Sequence, residues 1–202
     1  MPYGEMDAMH MDVLREIGNI GAGNATTALA KLINAKIDMK VPKVEMVDFQ
    51  HLASIVGNEE DLMVAVMVTL SVDVDGMMMF LMDKKSGTYL IEQMMAGSGM
   101  PVNEDFGELE FSVISEIGNI ITGSYLSALA SLLNMKIDMS IPYLSIDMAG
   151  AILSVPAIEF GKIGDEVLLI QTDFGDEVEV KGYFILIPDQ DSYTRILTAL
   201  GM

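Results

Sequence analysis

The chain states one pattern twice. Asp12-Val-Leu-Arg-Glu16-Ile-Gly-Asn19-Ile20 returns one hundred residues later as Ser112-Val-Ile-Ser-Glu116-Ile-Gly-Asn119-Ile120. The correspondence continues through Gly23 and Gly123, Ala28-Leu29-Ala30 and Ala128-Leu129-Ala130, Asn34 and Asn134, then Lys36-Ile37-Asp38-Met39 and Lys136-Ile137-Asp138-Met139, and closes on Pro42 and Pro142. A duplication on this scale constrains the fold, because whatever one half builds the other must build again. Recurring apolar positions follow from needing the same core twice. A Glu and an Asn three residues apart do not, and their survival in both copies marks them as the working part.

The rest of each half follows the same order. Asp7 to about Asn34 reads as one long helix, with Val13, Leu14, Ile17, Ile20, Ala28, Leu29 and Leu32 at helical spacing. Leu109 to about Asn134 repeats it. Proline-bearing extended runs follow, Ile37–Phe49 and Ile137–Met148, and the prolines point to edge or bulged strands. Short helices are expected near His51–Val56 and Ala149–Val155. A hairpin of Asp61–Val72 and Gly76–Met82 around Asp73-Val-Asp75 is answered by Glu166–Phe174 and Gly182–Ile187. Closing helices, Ser86–Ala96 and Ser192–Leu200, begin at Asp83-x-x-Ser86 and Asp189-x-x-Ser192. The offset has grown from 100 to 106 by then.

Half-repeats of about 7–100 and 107–202, joined by the short Gly97-Ser-Gly-Met-Pro-Val-Asn103, read most economically as one pseudo-twofold domain. The expected class is α/β (α+β), with a shared mixed β-sheet and two long helices. Two separate α+β domains are the other arrangement open to the sequence.

Charge narrows the partners. Thirty acidic against 11 basic residues give a net charge of -19. That argues against nucleic acid, whose affinity comes largely from Lys and Arg on phosphates, and against anionic membrane surfaces. A basic protein face suits it. The absence of cysteine removes disulfides, thiolate metal sites and Cys nucleophiles. His10 and His51 stand alone and read as surface or packing residues. The N-terminus lacks a signal-peptide pattern, and the longest apolar stretch, around Met63–Leu70, is too short to span a bilayer. A soluble, cytoplasmic protein is expected. The 19 methionines read as adaptable core filler.

On a helix, Glu16 and Asn19 share a face. Asp12, four before Glu16, and Gly23, four beyond Asn19, extend the stripe, while Val13, Leu14, Ile17, Gly21, Ala28 and Leu32 point away from it. The copy reads Ser112, Glu116, Asn119, Gly123. Glycine inside a helix costs about 1 kcal/mol relative to alanine, so keeping Gly23 and Gly123 suggests that a partner's backbone passes beside the polar pair. Gly18 and Gly118 lie toward the apolar side, where close packing explains them. Gly18-Asn-Ile-Gly21-Ala-Gly23 follows no strand, lacks a Lys-Ser/Thr ending and loses Gly21 in its copy, so it does not read as a phosphate loop. One carboxylate and one amide per copy are too few for a closed metal site.

The doubled Asp/Ser-x-x-x-Glu-x-x-Asn pattern, and the string from Glu16 to Asn24, resemble the CheC/CheX/FliY family of chemotaxis phosphatases. The resemblance spans essentially the whole chain. Two motifs and no long switch-domain extension place it nearest the CheC branch. It implies an α/β pseudo-twofold fold and a protein substrate, the phosphorylated response regulator CheY. It also implies a second partner, the receptor deamidase CheD, which can stimulate the phosphatase. The catalytic roles carry over to Glu16, Asn19, Glu116 and Asn119, with Asp12, Ser112, Gly23 and Gly123 supporting the motif. No cofactor is expected on this chain, because CheY itself would bring Mg²⁺. Ile146-Asp147-Met148-Ala-Gly-Ala-Ile152 resembles the stretch implicated in meeting CheD, with Asp147 the charged contact, although a strand end running into a core helix reads equally well. The other functional reading is a non-catalytic adaptor that docks CheD or a flagellar switch component.

Overall fold

A computed structural model of the chain describes residues 8–33, 39–48, 51–96, 101–103, 105–160, 166–174 and 180–201. Each half folds in the order anticipated from the repeat. The first half supplies α1 (Ala8–Ile33), β1 (Met39–Asp48), α2 (Leu52–Val56), β2 (Leu62–Val72), β3 (Gly76–Asp83) and α3 (Lys84–Met95). The second supplies α4 (Glu108–Leu133), β4 (Ile137–Met139), β5 (Tyr143–Met148), α5 (Ala149–Phe160), β6 (Glu166–Phe174), β7 (Val180–Pro188) and α6 (Gln190–Ala199). Both closing helices start as the sequence indicates. Asp83 accepts from Ser86 N at 2.6 Å, and Asp189 from Ser192 N at 2.7 Å, each satisfying a helix N–H that has no partner within the helix. Residues 97–100 of the junction and 34–38 after α1 lie outside the described residues.

The strands form one sheet in the order β1-β6-β7-β3-β2, with β4 and β5 both on the outer side of β2. Exchanging the halves reverses this order onto itself, so the pseudo-twofold passes between β3 and β7. Each half lends its first strand to the other half's hairpin: β1 pairs with β6, and β4–β5 with β2. This exchange closes a single domain rather than two. The sheet departs from the mixed arrangement expected, since every described pairing is antiparallel. Both halves are hairpins, and the exchanged edge strands also run against their hosts.

The prolines act as bulges. Lys40 pairs with Asp173 and Lys43 with Gln171, so β1 takes three steps across Pro42 where β6 takes two. Met139 pairs with Leu70 and Tyr143 with Met67, four steps across Pro142 against three on β2. One extra residue is accommodated in each case, as expected where proline cannot donate to the ladder. In the second copy Ser140 restores the lost bonding, its N donating to Thr69 O at 2.9 Å and its hydroxyl accepting from Thr69 N at 3.0 Å.

Helices cover both sheet faces, which is why the central strands read as nearly continuous apolar runs. Val64, Val66, Val68, Met78, Phe80, Phe184 and Ile170 face the layer of α1, α3, α4 and α6. Their alternates Met63, Ala65, Met67, Met79, Leu81, Ile185 and Leu169 face α2 and α5. Most of the methionines of β2 and β3 are therefore packing residues. Tyr125 reaches down from α4 to meet Phe184 with the rings tilted, centroids 4.0 Å apart, and shares a hydrogen bond with Thr172 at 3.1 Å. Burial holds its hydroxyl far above the ordinary tyrosine range, with the Thr172 bond pulling weakly the other way.

Candidate functional site

α1 and α4 lie side by side over the same sheet face. Their inner sides are apolar: Leu14 and Ile17 on α1, Ile114, Ile117 and Ile121 on α4, all buried. The glycines expected to pack do so tightly. A Cβ on Gly118 would fall 2.6 Å from Val66 Cγ2, and one on Gly18 would fall 3.1 Å from Val41 Cγ1. A Cβ on Gly21 would fall 3.0 Å from Tyr125 Cα, so the helices cross at close range there. The copy can carry Ile121 in place of Gly21 because only one of the two helices needs to be bare at the crossing.

With the inner faces fixed, the repeated polar stripe must turn outward. Asp12, Glu16, Asn19 and Gly23 are exposed, as are Ser112 and Glu116, while Asn119 and Gly123 are partly covered. Gly23 meets the expectation of a clear face, with no described atom within 4 Å of a Cβ there. Gly123 does not: the Met139 thioether methyl lies 3.4 Å from that point. β4 lays Met139 against α4, so the gap left by the second glycine is already lined by this chain. The sequence signal was present, since Met139 sits in the repeated Lys-Ile-Asp-Met, but nothing in the spacing connected it to Gly123.

Two further residues alter the stripe. Arg15 Nη1 donates to Asp12 Oδ1 at 2.9 Å, partly neutralising the N-terminal end of the first site. Ile20 is 39% exposed. At four beyond Glu16 and three before Gly23 it falls inside the stripe rather than in the core.

The stripe is a convex helical surface. A cleft of about 920 Å³ opens elsewhere, between the start of α3 and the start of β2, lined by Asp61, Asp83, Lys84, Lys85 and Glu92 among others. A convex site of carboxylate and carboxamide suits a macromolecular partner better than a small molecule, which requires concavity. Among the described residues no group of three or more His, Asp or Glu is placed to hold a metal ion. His51 is an exposed residue 3.8 Å from Asp48, as an ordinary surface histidine would be; the side chain of His10 lies outside the described residues. No described helix is long and apolar enough to cross a membrane.

Asp147 stands apart from the stripe. It pairs with Met63 in register, which puts it on the α2/α5 side of the sheet, opposite the long helices. It is exposed, and its Oδ1 accepts from Met148 N at 2.8 Å. Beside it a groove of about 400 Å³ runs between β5 and α5, lined by Met67, Met77, Tyr143, Ile152 and Val155.

Fold and site together define a duplicated α/β domain with the same polar pattern displayed on each of two long helices. A profile of the CheC-like family matches residues 9–46 and 109–146, the two stripe-bearing helices and the segments that follow them. The CheY-P phosphatase CheC of Bacillus subtilis (strain 168) is 35% identical over 196 residues, covering 95% of this chain and 93% of that protein. The chain belongs to the CheC-like family. The flagellar motor switch phosphatase FliY of Bacillus subtilis is 26% identical over 138 residues, 68% of this chain and 36% of the longer relative. Thermotoga maritima FliY has the same fold, with a TM-score of 0.76, 24% identity and 98% of each chain covered.

Proposed function

We propose that this chain hydrolyses the aspartyl phosphate of a phosphorylated CheY, using Glu16 with Asn19 and Glu116 with Asn119 as two sites. The observation that carries the reading is the outward Glu/Asn pair, held at the same place on both long helices of a chain 35% identical to a CheY-P phosphatase. An acyl phosphate is intrinsically reactive, and the regulator supplies its own Mg²⁺ and lysine. What is missing is a water held in line with phosphorus, and phosphoryl transfer is catalysed mainly by such positioning. A neutral carboxamide orients water without repelling the anionic phosphoryl group. Water oxygen then bonds to phosphorus as the bond to the aspartyl oxygen breaks, freeing phosphate and the carboxylate, with the water's proton passing to phosphate or solvent. Glu16 and Glu116 pair with a cation on the regulator and fix its pose.

The reading extends to CheD, docked through Asp147 and the β5–α5 groove. That surface lies across the sheet from the catalytic stripes, so CheD and CheY could be held together, in the cytoplasm where a response regulator works. Exposed Tyr143, on the same face as Asp147, would also suit the adaptor alternative, in which docking is the whole function. Mixing the protein with phosphorylated CheY and Mg²⁺ and following phosphate release separates the two. Release faster than CheY's own decay supports the phosphatase; an unchanged rate with CheD still bound supports the adaptor.

A further inference from the structure

The polar pairs are bordered by apolar side chains, one exposed and one packed only partly against the core. Ile20 lies between Glu16 and Gly23 on the outer face of α1 and is 39% exposed, while its neighbour Ile17 is the one buried against the sheet. The repeat keeps isoleucine there as Ile120, which in the second half leans on the core. The second half gains an apolar border from elsewhere: Met139, partly exposed on β4, lies against Gly123 one turn beyond Asn119. Exposed isoleucine on a helix gains little by itself, and a thioether is a soft surface that fits varied partners.

We propose that Ile20 at the first site and Met139 at the second are specificity-determining residues, supplying the apolar contact that seats the regulator over each Asn. This rests on the phosphatase reading. The occupant is the regulator face bordering its phosphorylated aspartate, because both side chains are continuous with the stripe that must meet it. Apolar contact made equally before and during hydrolysis governs affinity rather than turnover.

The test isolates one site at a time. Asn119→Ala leaves the first site, and Asn19→Ala leaves the second. Phosphate release from phosphorylated CheY is followed against CheY concentration. Ile20→Ala in the first-site protein should raise KM by roughly three- to tenfold with kcat retained, and Ile20→Leu should restore most of the affinity. Met139→Ala should do the same in the second-site protein, with Met139→Leu restoring it. Each change placed in the opposite background should leave KM alone, which a merely structural role would not do. An unchanged KM in its own background, or an equal rise in both, overturns the assignment. If neither single-site protein accelerates phosphate release, the phosphatase reading has failed, and calorimetry with beryllofluoride-loaded CheY decides the surface instead. Weaker binding by Ile20→Ala and Met139→Ala proteins keeps the assignment as a docking surface; equal binding removes it.

Discussion

The two long helices carry the same stripe in different surroundings. On α1, Asn19 and Gly23 are exposed and Asp12 is tied to Arg15. On α4, Asn119 and Gly123 are partly covered, Met139 lines the glycine, and Ser112 and Ser115 replace the charged pair. Helix periodicity alone fixes where Glu and Asn point, so that survives duplication. The border of each site comes from a strand laid beside the helix and from side chains free to change. Two copies of one polar pattern can therefore diverge in their surroundings while keeping the same Glu/Asn pair.

The comparison is broken most severely by removing what the halves share. Asn19→Ala with Asn119→Ala should reduce accelerated dephosphorylation on the order of 100-fold or more, as loss of a water-positioning group does. Circular dichroism and thermal melting should match the parent, since Asn19 is exposed and Asn119 only partly covered. Undiminished turnover in the double variant would remove the water-orienting role. Each single variant should retain the other site's activity. A residual KM that differs between the two measures how far the borders have diverged.

Glycines sharpen the contrast between inner and outer faces. Gly118→Ala places a methyl group 2.6 Å from Val66 Cγ2 on a central strand, and overpacking of that kind costs about 1–3 kcal/mol. Gly23→Ala meets no described atom within 4 Å and should stabilise by about 0.5–1 kcal/mol, through helix propensity. Urea denaturation measures both, and stability changes of the same sign would contradict the inner and outer assignment. Gly23→Leu tests function on the same face. Its bulk should hinder regulator docking at the first site while the melting temperature holds or rises.

A weaker effect is expected on the far side of the sheet. Asp147→Lys should lower CheD affinity, since charge reversal adds repulsion as well as removing attraction. Basal phosphatase activity without CheD should persist, because both Glu/Asn pairs lie on the other layer. Equal CheD binding by folded parent and variant, measured calorimetrically, would take this segment out of the interface.

Much of this architecture was legible because local rules and tertiary demands agree. The long helices follow from apolar spacing on residues such as Leu14, Ile17, Ile114 and Ile117, which do pack inward. Asp83 and Asp189 cap as their spacing from Ser86 and Ser192 predicts, and Pro42 and Pro142 both fall in bulges on outer strands. Three features were not legible. Strand exchange, and with it the antiparallel pairing of every described strand, depends on long-range pairing that no local pattern records. Met139 meets Gly123 only because β4 returns along α4. Ile20 fits the apolar spacing of the helix as well as it fits the stripe of Glu16, and only burial distinguishes it from Ile17.

The smallest expected effect concerns how the helices begin, where the halves also differ. In α4, Glu110 reaches back to accept from Gly107 N at 2.9 Å and Asn103 N at 2.8 Å. It thus anchors the chain between the halves to the first turn of the second long helix. These backbone donors, Asn103 first, hold its carboxyl below the usual glutamate range despite the opposing effect of burial. At the matching position α1 has His10, which cannot repeat that arrangement as a carboxylate. A lowered folded-state pKa means that the unfolded chain takes up its proton first as pH falls. The stabilisation from Glu110 is therefore fully present above the unfolded glutamate pKa, about 4.3, and is lost as pH falls through the lower folded value. Glu110→Gln should reduce stability at neutral pH and flatten the decline below about pH 4.5. Urea midpoints between pH 3 and 7 that fall in parallel for Glu110→Gln and parent would show that this anchor contributes nothing specific to the second helix.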